Sequence, residues 1–144
     1  MTLEEAIRQV KACADQMNDR YGSVVFDEWA LVSLAHNKGR VLCYVGPRHE
    51  EFAKNMVRDL GALRTELLDG QYNAGDFEFS RHGVGTSFEA FMVLGEGVYL
   101  ICNNTMSSMN DITKNPRWLN AQIPFAALGD MIRANPLKAA PEAG

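Results

Sequence analysis

Residues 87–104 read Ser-Phe-Glu-Ala-Phe-Met-Val-Leu-Gly-Glu-Gly-Val-Tyr-Leu-Ile-Cys-Asn-Asn, two apolar runs separated by Gly95-Glu96-Gly97. Aromatic and β-branched residues favour strands, and glycines supply the positive φ angles that a tight hairpin loop needs. The stretch therefore predicts two antiparallel strands joined by a short turn.

Both faces of this predicted hairpin are apolar. Successive side chains of a strand point to opposite faces of the sheet. In the first strand one face holds Phe88, Ala90, Met92 and Leu94 and the other Phe91 and Val93; in the second strand one face holds Val98, Leu100 and Cys102 and the other Tyr99 and Ile101. A sheet with one solvent-exposed face would carry polar residues at every second position. We therefore expect a central hairpin that is covered on both sides.

The residues before this hairpin predict two helices and three further strands. Thr2 and Glu5 match a capping box at the start of a helix that runs to about Arg20. Strands are predicted from Trp29 to Ala35 and from Arg40 to Val45, with loop residues between them. A second helix follows Gly46-Pro47 and closes at Asp69-Gly70. Phe77 and Phe79 alternate with polar residues in a strand so short that it suggests a sheet edge.

The residues after the hairpin predict a third helix. Asn115-Pro116 suits a helix start, and Asn135-Pro136 suits its end. Pro124 predicts either a kink or a second helix that begins there and runs to Arg133. The resulting fold class is α+β, a three-layer α/β/α arrangement with a five-stranded antiparallel sheet and the order α-β-β-α-β-β-β-α.

Composition predicts one soluble cytoplasmic domain. The chain has 144 residues, of which 47% are hydrophobic and 22% charged. We assign residues 1–136 to a single domain and 137–144 to a flexible tail. A net charge of −4 without a basic cluster argues against nucleic acid as a partner. The first residues lack a secretory signal and no run is long enough for a membrane span. Cys13, Cys43 and Cys102 are predicted to be reduced core cysteines.

The second helix carries an unusually wide apolar stripe of roughly 140°, compared with about 100° for an ordinary surface helix. The stripe contains Phe52, Ala53, Met56, Val57, Leu60, Leu63 and Leu67. One interpretation is a deeply set helix in a monomer. The other is a helix that packs on its own sheet and also on a second copy of the chain.

Motifs for catalysis or for a metal or cofactor are lacking in the sequence. His49-Glu50 begins like a zinc-protease helix, but Ala53 stands where the second histidine is needed. The loop with Gly83 and Gly85 lacks the lysine of a phosphate loop. The adjacent pairs Asp27-Glu28 and Glu50-Glu51 are predicted to be solvated, because neighbouring side chains diverge. We therefore predict a protein that is not an enzyme and that needs no cofactor.

From Trp29 onward the chain resembles the roadblock (dynein light-chain type) family. The residues that carry the likeness are ALVSLAHNKGRVLCYVG at 30–46, the long helix, Phe-Glu-Phe at 77–79, and FMVLGEGVYLI at 91–101. The resemblance implies a five-stranded antiparallel sheet with the first and last helices on one face and the middle helix on the other. Two features depart from the family pattern: a long connector from Tyr21 to Glu28, and Pro116 and Pro124, which predict a short or broken last helix.

The resemblance also implies a homodimer that binds a small Ras-like GTPase, as bacterial members regulate or scaffold such proteins without catalysis. The middle helices, here Pro47 to Asp69, would pair, and the short third strands, here Asp76 to Ser80, would meet edge to edge. The implied dimer interface comprises Phe52, Met56, Leu60, Leu63, Leu67, Phe77 and Phe79. Lys54 and Arg58 are the predicted partner-binding residues.

Two other functions stay open at this point. A ligand-sensing domain of the profilin or PAS type would use Phe91, Met92 and Tyr99 to line a pocket between sheet and helix; stabilisation by a small molecule in a thermal-shift screen would favour it. A hydrolase would use His82 with Ser87 or Thr86 beside the glycine loop. That activity would disappear in His82→Ala.

Overall fold

The computed structural model describes residues 1–21, 26–34, 39–54, 72–79, 82–83, 86–87, 90–104 and 116–138. Three helices and seven strands occur in this part of the chain. In chain order they are α1 (Leu3–Tyr21), β1 (Glu28–Ser33), β2 (Arg40–Val45), α2 (described over residues 49–54), β3 (Phe77–Phe79), β4 (His82–Gly83), β5 (Thr86–Ser87), β6 (Ala90–Gly95), β7 (Val98–Asn103) and α3 (Pro116–Ala134).

Five of the strands form one antiparallel sheet in the order β2-β1-β7-β6-β3. The predicted hairpin is β6 and β7, and it lies inside the sheet as expected. The short strand β3 ends the sheet, which confirms its predicted edge position. The remaining two strands, β4 and β5, form a separate two-residue ribbon that the sequence did not predict.

The hairpin turn confirms why glycines flank Glu96. All three turn residues have positive φ, 128° at Gly95, 49° at Glu96 and 76° at Gly97. Gly95 has a second reason to lack a side chain: a Cβ there would lie 2.7 Å from the carbonyl oxygen of Leu137.

The sheet separates two hydrophobic clusters, and each cluster takes one face of the hairpin. Side chains of α1 and α3, among them Val10, Met17 and Phe125, pack on the face that carries Met92 and Leu100. On the opposite face the cluster contains Phe52 from α2 together with Ala30, Val32, Leu34, Phe91, Val93, Tyr99 and Ile101. The prediction of an apolar hairpin covered on both sides is confirmed. Removal of these apolar side chains from water favours the folded state, since the hydrophobic effect is the dominant favourable contribution to folding.

Two predictions about the helices have different outcomes. The capping box is confirmed, because the Glu5 amide donates to Thr2 Oγ1 and the Thr2 amide donates to Glu5 Oε2, both at 3.2 Å. The alternative of a new helix at Pro124 is wrong, since α3 runs for 19 residues through it. Pro124 removes one backbone bond, but its ring is fully buried and its carbonyl accepts a 3.6 Å bond from Cys13 Sγ.

The predicted start of a flexible tail at residue 137 is wrong for its first two residues. Leu137 is only 3% exposed, and its amide donates to the Leu94 carbonyl at 2.9 Å. The Lys138 amide donates to the Met1 carbonyl at 3.0 Å. The chain end is thus packed beside the central hairpin through residue 138, and residues 139–144 lie outside the described part. Among the described residues, no helix has the length and hydropathy of a membrane span.

A pair of glycines sets the spacing between α3 and the loop before β3. A Cβ on Gly129 of α3 would lie 2.6 Å from the carbonyl oxygen of Gly75, and a Cβ on Gly75 would collide with the Gly129 carbonyl. Both obstacles are backbone atoms, which a rotamer change cannot move. The loop that carries Asp76 and starts β3 is therefore seated directly on α3.

We expect Gly129→Ala to destabilise the fold. Alanine improves helix propensity by about 1 kcal/mol, but overpacking against a fixed backbone costs about 1–3 kcal/mol. The clash prevails, so the free energy of unfolding in urea falls. Ala127→Gly on the exposed side of α3 is the control. It makes the reverse change without a clash, so it measures the effect of helix propensity alone, about 1 kcal/mol. A Gly129→Ala protein more stable than wild type would contradict the close approach.

Candidate functional site

A buried carboxylate lies where the ends of β1, β2 and β7 meet the start of α2. The Glu28 side chain is 0% exposed. Its Oε1 accepts hydrogen bonds from Arg48 Nη2 at 2.8 Å and Asn103 Nδ2 at 3.1 Å. Its Oε2 accepts from the Tyr44 hydroxyl at 2.5 Å and Arg48 Nε at 3.2 Å. The Arg48 pair is therefore bidentate, the strong form of a charge-assisted hydrogen bond.

Strand register and one tight turn position these groups. Glu28 is directly opposite Asn103 in the β1–β7 ladder, and Tyr44 of β2 is opposite Ala30 of β1. The chain then turns at Gly46, where a Cβ would lie 2.7 Å from the Tyr44 hydroxyl and 3.0 Å from Glu28 Cα. Beyond the turn, the Arg48 amide donates to the Tyr44 hydroxyl at 2.8 Å. Arg48 thus reaches back to the strand ends just before α2 begins.

The network favours an ionised Glu28. Burial alone would raise the pKa of Glu28, but hydrogen bonds from Arg48, Tyr44 and Asn103 and the Arg48 charge outweigh it and hold the pKa below its ordinary value. Burial and the bond to Glu28 raise the pKa of Tyr44 to about 12. At neutral pH the phenol is therefore protonated and donates to the carboxylate.

This geometry makes Glu28 a structural group rather than a catalytic one. A carboxylate has about four lone-pair sites, and four donors occupy them. A general base needs a lone pair directed at substrate, and a metal ligand needs one directed at the ion. The arrangement therefore offers a fixed connection between the sheet and α2.

The prediction that Asp27-Glu28 is a solvated pair is wrong for Glu28. Its neighbour Asp27 is half-buried, whereas Glu50 and Glu51 are exposed as predicted. The partners that satisfy the buried Glu28 come from three separate parts of the chain: β2, the segment before α2, and β7. The sequence gives no local signal for that convergence.

At the other end of the sheet, the predicted interface residues Phe77 and Phe79 belong to an aromatic cluster. Their ring centroids are each 5.2 Å from that of Phe125 on α3. Phe26 stacks on Phe79 at 6.4 Å. Both β3 phenylalanines are half-buried. Their side chains therefore anchor the edge strand on α3, while the strand itself ends the sheet.

The remaining predicted interface residues come from the predicted second helix, of which the structure describes residues 49–54 as α2. Phe52 is buried in the chain's own core, where its ring centroid is 5.3 Å from that of Tyr44. Lys54 is exposed, as a partner-binding residue must be. Met56, Arg58, Leu60, Leu63 and Leu67 lie outside the described residues, so their roles stay predictions.

The pocket expected for a ligand-sensing domain is not formed by the residues proposed for it. Phe91 and Tyr99 belong to the cluster on the α2 face, whereas Met92 belongs to the cluster on the α1/α3 face. A cavity does occur between α1, α3 and the sheet, lined by apolar groups such as Met17, Trp29 and Leu128. Its volume is about 20 Å³, which is room for a single water molecule.

The structure brings together two of the residues considered for a hydrolase, whereas the described residues contain no group of metal ligands. His82 and Ser87 are opposite each other in the β4–β5 ribbon, so the backbone places the two residues of that hypothesis together. Within the described ranges, no three histidine, cysteine or acidic residues are grouped as metal ligands. All three cysteines are free, and burial raises the pKa of Cys13 to about 12, which keeps it a thiol at neutral pH.

Comparison with known proteins adds no relative, since no family model, no curated protein and no solved structure matches this chain.

We expect Glu28→Gln to lower the free energy of unfolding by about 1–2 kcal/mol at pH 7. Hydrogen bonds to charged groups contribute about 1.5–3 kcal/mol, and partial hydration of Arg48 reduces the loss. The exposed Glu51, 3.5 Å from Arg48, provides the control. Glu51→Gln should change stability by less than about 0.5 kcal/mol.

A comparison of wild type with Glu28→Gln at several pH values tests whether Glu28 is charged. Because its folded pKa lies below the ordinary value of 4.5, its contribution is complete above that pH and is lost as pH falls through the folded pKa. The difference between wild type and Glu28→Gln should therefore shrink below about pH 4. A difference that is independent of pH, measured by urea unfolding from pH 7 to pH 3, would refute an ionised Glu28.

Proposed function

We propose that this chain is a homodimeric interaction module of the roadblock type, without catalytic activity of its own, that regulates or scaffolds a small Ras-like GTPase. Two copies would pair through α2 and through the outer edges of β3. The observation that carries the proposal is the position of β3, a three-residue strand at the end of a five-stranded antiparallel sheet.

The architecture supports a sheet that continues into a second copy. A terminal strand presents backbone donors and acceptors along its outer edge, and these groups can pair with another strand. Phe77 and Phe79 hold β3 against Phe125 of α3, so the edge is fixed rather than frayed. Proteins otherwise shield such edges with charges, prolines or bulges, and β3 contains a single charged residue, Glu78.

The chemistry of the described residues supports binding rather than catalysis. The one fully buried carboxylate, Glu28, has its acceptor sites occupied by Arg48, Tyr44 and Asn103. The buried Cys13 is a thiol at neutral pH. Neither group is available as a nucleophile or a general base, and this supports a protein that acts through its surfaces.

We expect the wild-type protein to be a dimer in light scattering at tens of micromolar. Leu60→Asp, in the predicted centre of the α2 stripe, should give a monomer because it places a charge in an apolar interface. Ile123→Asp is the matched control. Ile123 is 62% exposed on α3, which covers the face of the sheet opposite to α2, and its variant should stay dimeric.

Thermal unfolding of each variant separates a lost interface from a lost fold. A Leu60→Asp protein that unfolds cooperatively and is monomeric supports the proposal. A wild-type protein that is monomeric over the whole concentration range contradicts it, whatever the variants do.

In a pull-down, a GTPase should co-purify with a tagged form of the chain. Chromatography of the eluate should then detect the guanine nucleotide that the GTPase carries. We expect Arg58→Glu to reduce the amount retained by about tenfold, since reversing a charge at an interface weakens association. Lys11→Glu, the same charge change at an exposed site on α1, should have no effect. Equal retention by wild type and Arg58→Glu would remove Arg58 from the partner surface.

A further inference from the structure

We propose that the Glu28 network is a latch. In this proposal, Arg48 and the described start of α2 (residues 49–54) open from the sheet as a unit while the α1/α3 side stays folded, and the charge of Glu28 holds them closed. This goes beyond a contribution to overall stability, because it assigns the carboxylate to one local equilibrium.

The two hydrophobic clusters make separate opening feasible. The described part of α2 contributes Phe52 to the cluster on its own face of the sheet. The cluster that joins α1 and α3 to the other face contains no residue of α2 in the described ranges. Segments that share few contacts with the main core open with less free energy than the whole domain needs. The α2 side can therefore open without loss of the α1/α3 packing.

Arg48 is the link between the sheet and the helix. Its guanidinium binds Glu28 through Nη2 and Nε, and its amide donates to the Tyr44 hydroxyl at 2.8 Å. Its carbonyl accepts the bond from the Phe52 amide, also at 2.8 Å, which starts the helix. Release of Arg48 would consequently release the first helical turn.

Unequal exposure makes the latch depend on the charge of Glu28. Arg48 is 36% exposed and Glu28 is 0% exposed. On opening, the guanidinium becomes hydrated, and the carboxylate loses its two guanidinium bonds and keeps Tyr44 and Asn103 as its protein donors. A buried ionised group that loses donors is costly, so the charge favours the closed form. A neutral amide at position 28 removes that bias, and its NH₂ group also faces donors instead of acceptors.

The functional consequence rests on the proposed role of α2 in self-association. If two copies pair through α2, only the closed form presents the helix in the required position. An open population lowers the apparent affinity by the fraction that is not competent to bind. Glu28 would then control dimer formation from the inner side of the helix, without being in the interface.

Residue-resolved amide hydrogen exchange tests the latch directly. The probes are the amides of Arg48 and Phe52, whose bonds break on opening, and those of Met92 and Leu100 in the middle of the sheet. In Glu28→Gln we expect exchange at Arg48 and Phe52 to accelerate about ten- to hundredfold. Met92 and Leu100 should accelerate less, and Glu51→Gln should leave all four amides near their wild-type rates.

Sedimentation of the same proteins separates the latch from the proposed function. Local acceleration with a weaker dimer supports both. Local acceleration with an unchanged dimer, or with a monomeric wild type, supports the latch and contradicts the α2 interface. Equal acceleration at all four amides, or none at Arg48 and Phe52, overturns the latch. Arg48→Gln provides a second variant, which should show the same local pattern if Arg48 is the link.

Discussion

The fold depends on burying both faces of the β6–β7 hairpin. Its side chains alternate between two clusters, with Met92 and Leu100 on one side and Phe91 and Tyr99 on the other. No single layer of helices can cover both faces of a sheet, so α1 and α3 lie on one face and α2 contributes to the other. Three further strands extend the sheet from this hairpin, with β1 and β2 on one side and β3 on the other.

A second constraint acts where the sheet meets α2. Burying a charge is unfavourable unless its hydrogen bonds are replaced, and Glu28 regains them from Tyr44, Arg48 and Asn103. This requirement fixes the relative positions of the three residues, because each donor must be in place for the hydrogen bonds of the carboxylate to be satisfied. The position at which α2 leaves the strand ends is therefore defined by polar geometry, in addition to the apolar contact between Phe52 and Tyr44.

Features set by local pattern could be predicted from the sequence. The period of two in residues 90–103 predicted which side chains share a face in each strand, and the spacing of Thr2 and Glu5 predicted the capping box. Features set by distant parts of the chain could not. The burial of Glu28 and Leu137 depends on partners from other elements, and α3 continues through Pro124 because its tertiary packing offsets a local penalty.

We propose that two copies of the chain join through the outer edges of β3 and through α2. The most direct measurement mixes isotope-labelled and unlabelled protein and detects magnetisation transfer between protomers. The proposed dimer predicts transfer between backbone protons of Phe77–Phe79 in one protomer and the same strand in its partner. A dimeric sample in which transfer between protomers reaches other elements and leaves β3 unaffected would contradict pairing through β3.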